Sequence, residues 1–324
     1  MSSTKLKPLY LMDIFRELSD EGHRLTVPEL LTELEKRGVR AERKGIYRDI
    51  EALVEYGADI RSSPTGYYLA RRYFSPGELR VLVSAVQAAG FISERRTEEL
   101  SGKLAAMAGA HQAEQLRGGA MGGIKSKNDE VLNLIGIVDE AILARRRISF
   151  AYYKWDVNKR EAPQRSGARY SVSPYALIWM QDRYYLVANL DGRDDLTHFR
   201  LDRMRRVRQD SAPWRHFSEV CEYRREFRAS EYAARCLNMF GGSPERIRLR
   251  CANRLIDEVL DRFGEDTAIA REGEDRFLAV VEVAPGRGFL SWAAQFGADM
   301  EILSPPALRE EMGALLRGAA GLYD

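Results

Sequence analysis

Thr197-His198-Phe199-Arg200-Leu201-Asp202-Arg203-Met204 is the stretch on which the reading of this 324-residue chain turns. Alternation with a period of two puts Phe199 and Leu201 on one face of a strand and His198 and Arg200 on the other. The first face suits a core. The second offers an imidazole and a guanidinium, both able to donate to an anion, with Arg203 just beyond. A salt bridge between Arg200 and Asp202 on a wet sheet face accounts for the same residues equally well.

Outward from this stretch, Ile148–Tyr153, Tyr170–Met180, Arg183–Ala188 and Thr197–Leu201 read as strands separated by polar or glycine-containing turns, as in a small β-barrel. Before them, Asn128 is placed to cap a helix carrying Val131, Leu132, Ile135, Val138 and Ile142. That helix is expected to end at Arg145-Arg146-Arg147, where the helix dipole favours cations. Residues 117–127 are glycine-rich without periodicity and read as a flexible connection. After the strands a helical stretch is expected over Ser218–Leu237. The order is then strand (Arg246–Cys251), helix, two strands near Thr267–Ala270 and Phe277–Val283, helix, strand (Met300–Leu303), helix. That order suits a ferredoxin-like α/β sandwich. Gly286-Arg287-Gly288 has no Walker Lys-Ser/Thr after it and reads as a turn opening a helix.

The amino-terminal segment reads as three helices and a hairpin. Leu6, Leu9, Met12, Ile14, Phe15 and Leu18 mark the first helix. Thr26-Val27-Pro28-Glu29 is a capping-box pattern for the second, which Gly38 closes. Ile46, Ile50, Leu53 and Val54 form the inward stripe of the third, from about Glu42 to Tyr56. Two β-prone runs around Ser63-Pro64-Thr65-Gly66 then make a hairpin. This is the order of a winged helix-turn-helix. Lys44 and Arg48 lie opposite the stripe, Tyr47 flanks them, and Arg40 and Arg43 sit at the amino end, where such helices approach the major groove. From Lys36 to Arg48 there are six basic residues and one acidic, Glu42. Arg61 and Thr65 on the hairpin are candidates for a neighbouring phosphate or the minor groove, or are merely exposed. Ser75-Pro76-Gly77-Glu78 opens a further helix to about Ala89, and another runs from about Ser93 to Met107.

Charge is distributed unevenly. Residues 141–215 carry 16 basic and 8 acidic side chains, a net +8 that favours an anionic partner, whereas residues 216–324 carry 14 and 19, a net −5 that disfavours direct DNA binding. The three cysteines (Cys221, Cys236, Cys251) form no disulfide framework or metal clip, and the four histidines are scattered, so no metal or cofactor is expected. No apolar run approaches a membrane span, and the first residues lack a signal-peptide core, which argues for the cytoplasm. No nucleophile pair, metal cluster or phosphate loop marks an enzyme.

Arg43-Lys44-Gly45-Ile46-Tyr47-Arg48-Asp49-Ile50-Glu51-Ala52-Leu53 resembles the recognition helix of bacterial DeoR-type and WYL-containing regulators, with Gly45 where threonine is common. Residues 148–208 resemble a WYL domain, an Sm-like or SH3-like β-barrel. The resemblance rests on Ile148–Tyr153, on Ser171-Val172-Ser173-Pro174-Tyr175-Ala176-Leu177, on Tyr184-Tyr185-Leu186 at the Trp-Tyr-Leu position, and on His198–Met204. It implies that Tyr152, Ser173, Tyr185, His198, Arg200 and Arg203 line a pocket for a nucleotide or short nucleic acid, the tyrosines stacking on bases; core packing explains the aromatics as readily. The segment from Arg246 resembles the extension that follows WYL domains.

The expected architecture is therefore a multidomain α+β chain. It has a winged helix-turn-helix (1–74), a helical linker (75–147), the barrel (148–210), a connector (211–245) and a tail domain (246–324) expected to dimerise. The expected function is a ligand-responsive transcriptional regulator, a homodimer on a pseudo-palindromic double-stranded DNA operator with an anionic effector at the barrel. The competing expectation is an RNA- or single-stranded-DNA-binding protein in which the barrel is the main module.

Overall fold

The computed structural model describes residues 3–117, 124–236, 242 and 244–323. The chain divides into two compact units, Met1–Asp129 and Glu130–Asp324.

The first unit opens with α1 (Ser3–Leu18), α2 (Val27–Lys36) and α3 (Arg43–Glu55), then a hairpin of β1 (Ile60–Ser63) and β2 (Gly66–Leu69). The capping box at α2 is complete: the Thr26 hydroxyl accepts from the Glu29 N–H, and the Glu29 carboxylate accepts from the Thr26 N–H at 2.7 Å. Gly38 takes a φ of +74°, the left-handed conformation that ends the helix. The core is Leu11, Ile14 and Phe15 of α1 against Leu30, Leu34, Ile46, Ile50 and Leu53. Two stripes expected from periodicity are corrected by this packing. Leu6 and Leu9 point to solvent, and Leu11 takes the inward position. On α3, Val54 is exposed, and Ile46, Ile50 and Leu53 suffice. The hairpin is antiparallel, Ile60 opposite Leu69 and Ser63 opposite Gly66.

α4 (Pro76–Ala88) starts with the expected Ser75–Glu78 capping box, and α5 (Glu94–Ala106) is capped by Ser93. A short α6 (Ala110–Arg117) follows, which the polar run Ala110-His111-Gln112-Ala113-Glu114-Gln115 did not announce. Of the expected flexible connection at 117–127, residues 118–123 lie outside the described residues. At its end the Lys125 ammonium donates to the carbonyls of Val86 and Ala89, holding the carboxyl end of α4.

The second unit begins with α7 (Val131–Leu143), so this helix groups with the sheet it packs on. Asn128 does not cap it. Glu130 occupies the cap position and its side chain does not cap the helix, and Asn128 is itself buried. Nor does the arginine triplet end the helix. Arg145 turns the chain at φ +52°, while Arg146 and Arg147 already belong to β3 (Arg146–Trp155). There Arg147 bonds Ser171 Oγ and Asp191, and Arg146 bonds the Ser211 carbonyl, contacts that replace the dipole explanation.

β4 (Glu161–Pro163), β5 (Tyr170–Met180), β6 (Arg183–Leu190), β7 (Leu196–Arg200) and β8 (Met204–Pro213) complete a curled antiparallel sheet in the order β4-β3-β5-β6-β7, with β8 also on β3. The curl has a local cause. Pro174 sits in the middle strand but lacks an N–H, and the register shifts between Pro174 and Ala176, so a bulge bends β5 there. Between β7 and β8 the chain makes one 3₁₀ turn, Leu201–Arg203, so the period-two alternation stops at Arg200 while Leu201 remains buried. The expected helix over Ser218–Leu237 is much shorter: α8 spans only Ala229–Arg235, and Leu237 lies outside the described residues.

The tail is β9 (Glu245–Ala252), α9 (Ile256–Phe263), β10 (Ala268–Glu272), β11 (Arg276–Val283), α10 (Arg287–Ala294), β12 (Met300–Ser304) and α11 (Pro306–Ala320). Its four strands are antiparallel in the order β10-β11-β9-β12. Ile247, Leu249, Cys251, Val281 and Phe289 sit at the centre of its core.

Candidate functional sites

α3 carries the first candidate surface. Because Ile46, Ile50 and Leu53 fill the core, helical geometry forces Arg43, Lys44 and Arg48 outward. All three are exposed, as is Arg40 before the helix. Arg43 Nε donates to the Tyr47 hydroxyl at 3.2 Å, and the Tyr47 ring meets Tyr67 edge-on at 6.5 Å, so the phenol is held at the helix flank with its own proton still available. Among the described residues no carboxylate lies within ion-pair distance of Arg40, Lys44 or Arg48. Asp49, the acid next to Arg48, is taken instead by Lys7 of α1 at 2.8 Å. Gly45 makes that reach possible: a Cβ there would stand 2.9 Å from the Lys7 ammonium.

On the hairpin, Arg61 is clamped by Asp59 through two bonds of 3.1 Å, and Thr65 Oγ1 accepts from Arg24 at 3.1 Å. Arg24 also lies over the Tyr68 ring, 5.4 Å from its centroid. The hairpin cation unnoticed in the sequence is therefore Arg24, which lies 41 positions from Thr65 and gives no local signal.

The second candidate surface lies on the curled sheet, where the structure separates residues that the sequence grouped. Tyr152 is 7% exposed, packed edge-on against Phe150, Tyr170 and Phe199 at 5.4 to 6.2 Å, and its oxygen accepts from the Arg200 N–H at 3.0 Å. It is a core residue and offers no stacking face, and burial pushes its hydroxyl pKa up. Ser173 is buried and accepts from the Arg215 N–H at 2.8 Å, holding β5 to the segment after β8. Tyr185 is half-buried on β6, directly opposite Arg200. His198 Nε2 lies 2.8 Å from the Tyr232 hydroxyl of α8, which packs over β5.

Arg200 is neutralised in place. Its Nε and Nη2 reach Asp202 Oδ1 and Oδ2 at 3.0 and 2.7 Å, the forked pair that the sequence allowed as an alternative. Arg183, read from the sequence only as the start of a strand, lies 3.7 Å from the same carboxylate. Arg203, one residue further on, is half-buried and close enough to lower the Tyr152 pKa electrostatically. Two guanidinium groups, those of Arg200 and Arg183, therefore face one carboxylate.

The family model for the WYL domain matches residues 133–209, and that for the WCX domain matches residues 243–320. The chain contains a WYL domain followed by a WCX domain. The WYL match starts inside α7 and ends inside β8, so it takes in the helix that covers the sheet as well as the sheet itself. Among solved structures, proteasome accessory factor B/C (PafBC) of Arthrobacter aurescens is similar over 99% of this chain at 20% identity, with a TM-score of 0.29. The chain spans 49% of the length of that protein's chain. A CRISPR Cas-related protein is similar over 76% of this chain and 72% of its own, at 15% identity and a TM-score of 0.38. No curated protein matches the chain.

Chemically, the carboxylate of Asp202 fills the place at Arg200 and Arg183 that an external anion would take. An incoming phosphate would compete with Asp202 for Arg200 and Arg183. Among the described residues no group of three histidine, cysteine or acidic side chains is placed to hold a metal ion, and no helix is long and apolar enough to cross a membrane.

Proposed function

We propose that the chain is a ligand-responsive, DNA-binding transcriptional regulator of the DeoR-like WYL type, acting in the cytoplasm as a homodimer on a pseudo-palindromic operator and catalysing no reaction. The observation that carries this reading is the exposed basic face of α3, Arg40, Arg43, Lys44 and Arg48, set opposite a buried Ile46/Ile50/Leu53 stripe and followed by a hairpin. We read α1–α3 with β1 and β2 as a winged helix-turn-helix whose α3 enters the major groove. Lys44 and Arg48 supply phosphate or guanine contacts, Tyr47 a phosphate contact, and Arg61 or Thr65 the wing.

In the same reading the WYL sheet senses a nucleotide or nucleic-acid anion through Arg200 and Arg203, with Asp202 as the group displaced. The WCX domain, whose strand order we read as a ferredoxin-like sandwich, holds the dimer together. An effector shifts the regulator only by binding one conformation better than the other. α8 is the natural relay, since it bonds His198 through Tyr232 and reaches the WCX sheet through Arg235, 3.7 Å from Glu282. The reading in which the sheet is chiefly a single-strand binder is disfavoured by the burial of Tyr152, which removes one stacking platform.

Selection from a random duplex pool with the full-length protein tests this. Enrichment of one two-fold-symmetric site is the expected result. Recovery of unenriched sequence after repeated rounds contradicts it.

A further inference from the structure

The chain between α1 and α2 adds a third, very short strand to the β1–β2 hairpin. Leu25 and Tyr67 exchange both backbone hydrogen bonds, at 2.8 and 2.9 Å, and form an antiparallel bridge. Gly66 lets the two backbones meet. It takes a φ of +134°, and a Cβ there would stand 2.6 Å from the Leu25 carbonyl oxygen, a distance no side chain tolerates.

The bridge sets a row of side chains across this small sheet. Tyr68 is opposite Arg61 of β1 on one side. With Leu25 opposite Tyr67, antiparallel register puts Arg24 beside Tyr68 on the other. Tyr67 packs on the core and meets Tyr47 of α3, so alternation turns the row Arg61, Tyr68 and Arg24 outward. The Arg24 guanidinium accordingly lies over the Tyr68 ring, 5.4 Å from its centroid, and donates to Thr65 Oγ1 at 3.1 Å.

The two arginines of the row differ in charge balance. Arg61 is closed on Asp59 by two bonds of 3.1 Å and carries its own counter-ion. Arg24 is exposed, and its two contacts are a neutral hydroxyl and a neutral ring. Among the described residues no carboxylate lies within ion-pair distance of it. The hairpin tip, Ser62-Ser63-Pro64-Thr65-Gly66, holds no cation of its own. A guanidinium left uncompensated, yet held in place by a ring and a hydroxyl, is preorganised for an oxyanion.

We propose that Arg24 is the cation with which the wing grips DNA, and that it holds a phosphate of the duplex backbone. This rests on the regulator reading and narrows its wing contact. Thr65 stays at the site as a positioning residue that steadies the guanidinium, and Arg61 drops out because Asp59 neutralises it. A phosphate contact adds affinity for any sequence, so base preference stays with α3.

Fluorescence anisotropy of the full-length protein, titrated with salt on its selected duplex and on a scrambled duplex, tests the assignment. Arg24→Gln, which keeps a side chain able to reach Thr65, should weaken binding to both duplexes alike. The loss should be roughly fivefold at 0.15 M salt, with a salt slope shallower by about one. Arg24→Lys keeps the charge and should keep the slope, and Arg61→Gln should also leave the slope at its wild-type value. A merely structural role for Arg24 would lower the melting temperature of Arg24→Gln and leave its slope unchanged. The wing assignment alone is overturned if the wild type prefers its selected site while Arg24→Gln retains the wild-type slope, or if Arg61→Gln loses that unit of slope instead. A wild type with no site preference overturns the regulator reading and the assignment together.

Discussion

The Tyr232 hydroxyl lies 2.8 Å from Nε2 of His198, joining α8 to the strand that carries Arg200. Tyr232 is buried against Phe227 and Cys236, and burial pushes its hydroxyl pKa well up, so it serves as a neutral hydrogen-bonding phenol across the physiological range. Tyr232→Phe removes the bond and keeps the ring. Stability to urea should fall by about 1 kcal/mol, the usual net worth of one such bond. The effector concentration needed for half-response should also change. Unchanged stability together with an unchanged response would show that α8 is not coupled to the sensing strand.

In the proposed reading, Asp202 sets the anion affinity of the WYL sheet. Replacing it by asparagine removes a negative charge at contact distance from Arg200 and Arg183. Near a surface such a charge is worth about 1 kcal/mol or more, so affinity for inorganic phosphate should rise on the order of tenfold. The same change leaves Arg200 half-buried without its carboxylate, and the unfolding midpoint should drop. Arg200→Ala should abolish phosphate binding. Calorimetry on both variants checks the pair, and weaker phosphate binding by Asp202→Asn would count against the exchange of one anion for another.

Gly45→Ala tests whether the glycine in α3 is there for Lys7. Alanine in mid-helix is favoured over glycine by roughly 0.5 to 1 kcal/mol. The new methyl meets only the mobile end of Lys7, which can swing aside at the expense of its pair with Asp49. A modest rise in thermal midpoint is expected. A fall of several degrees would show that the Lys7–Asp49 pair contributes more to the fold than the helix gains.

Much of the fold was legible because it depends on local chemistry. The capping boxes at Thr26 and Ser75, the left-handed Gly38 and the β-prone runs of β5, β6 and β7 are each set by a few neighbouring residues. The misreadings share a cause. Leu11 displaced Leu9 from the core of α1, and Val54 was left outside, because packing partners, not periodicity, choose the inward residue. Arg145–Arg147 looked like a helix end because basic residues favour that place, yet the chain turned one residue earlier and used two of them in a strand. In the WYL sheet the forked Arg200–Asp202 pair was readable at a separation of two residues. Tyr232 and Arg183 were not, since they lie 34 and 19 positions from the groups they meet. Tyr152 shares the buried face of β3 with Ile148 and Phe150, as period-two spacing allows; it was the resemblance, with core packing as the alternative, that pointed it at a ligand.

The most direct test of the basic face of α3 is fluorescence anisotropy with the selected duplex and a scrambled duplex of equal length, at two salt concentrations, for the wild type and Lys44→Ala/Arg48→Ala. The wild type should prefer its site by on the order of 10³ or more. The double variant should keep its melting behaviour, lose that preference, and show a salt slope shallower by about two. Equal affinity of the wild type for both duplexes, or full preference retained by the double variant, would contradict the claim that this helix reads DNA.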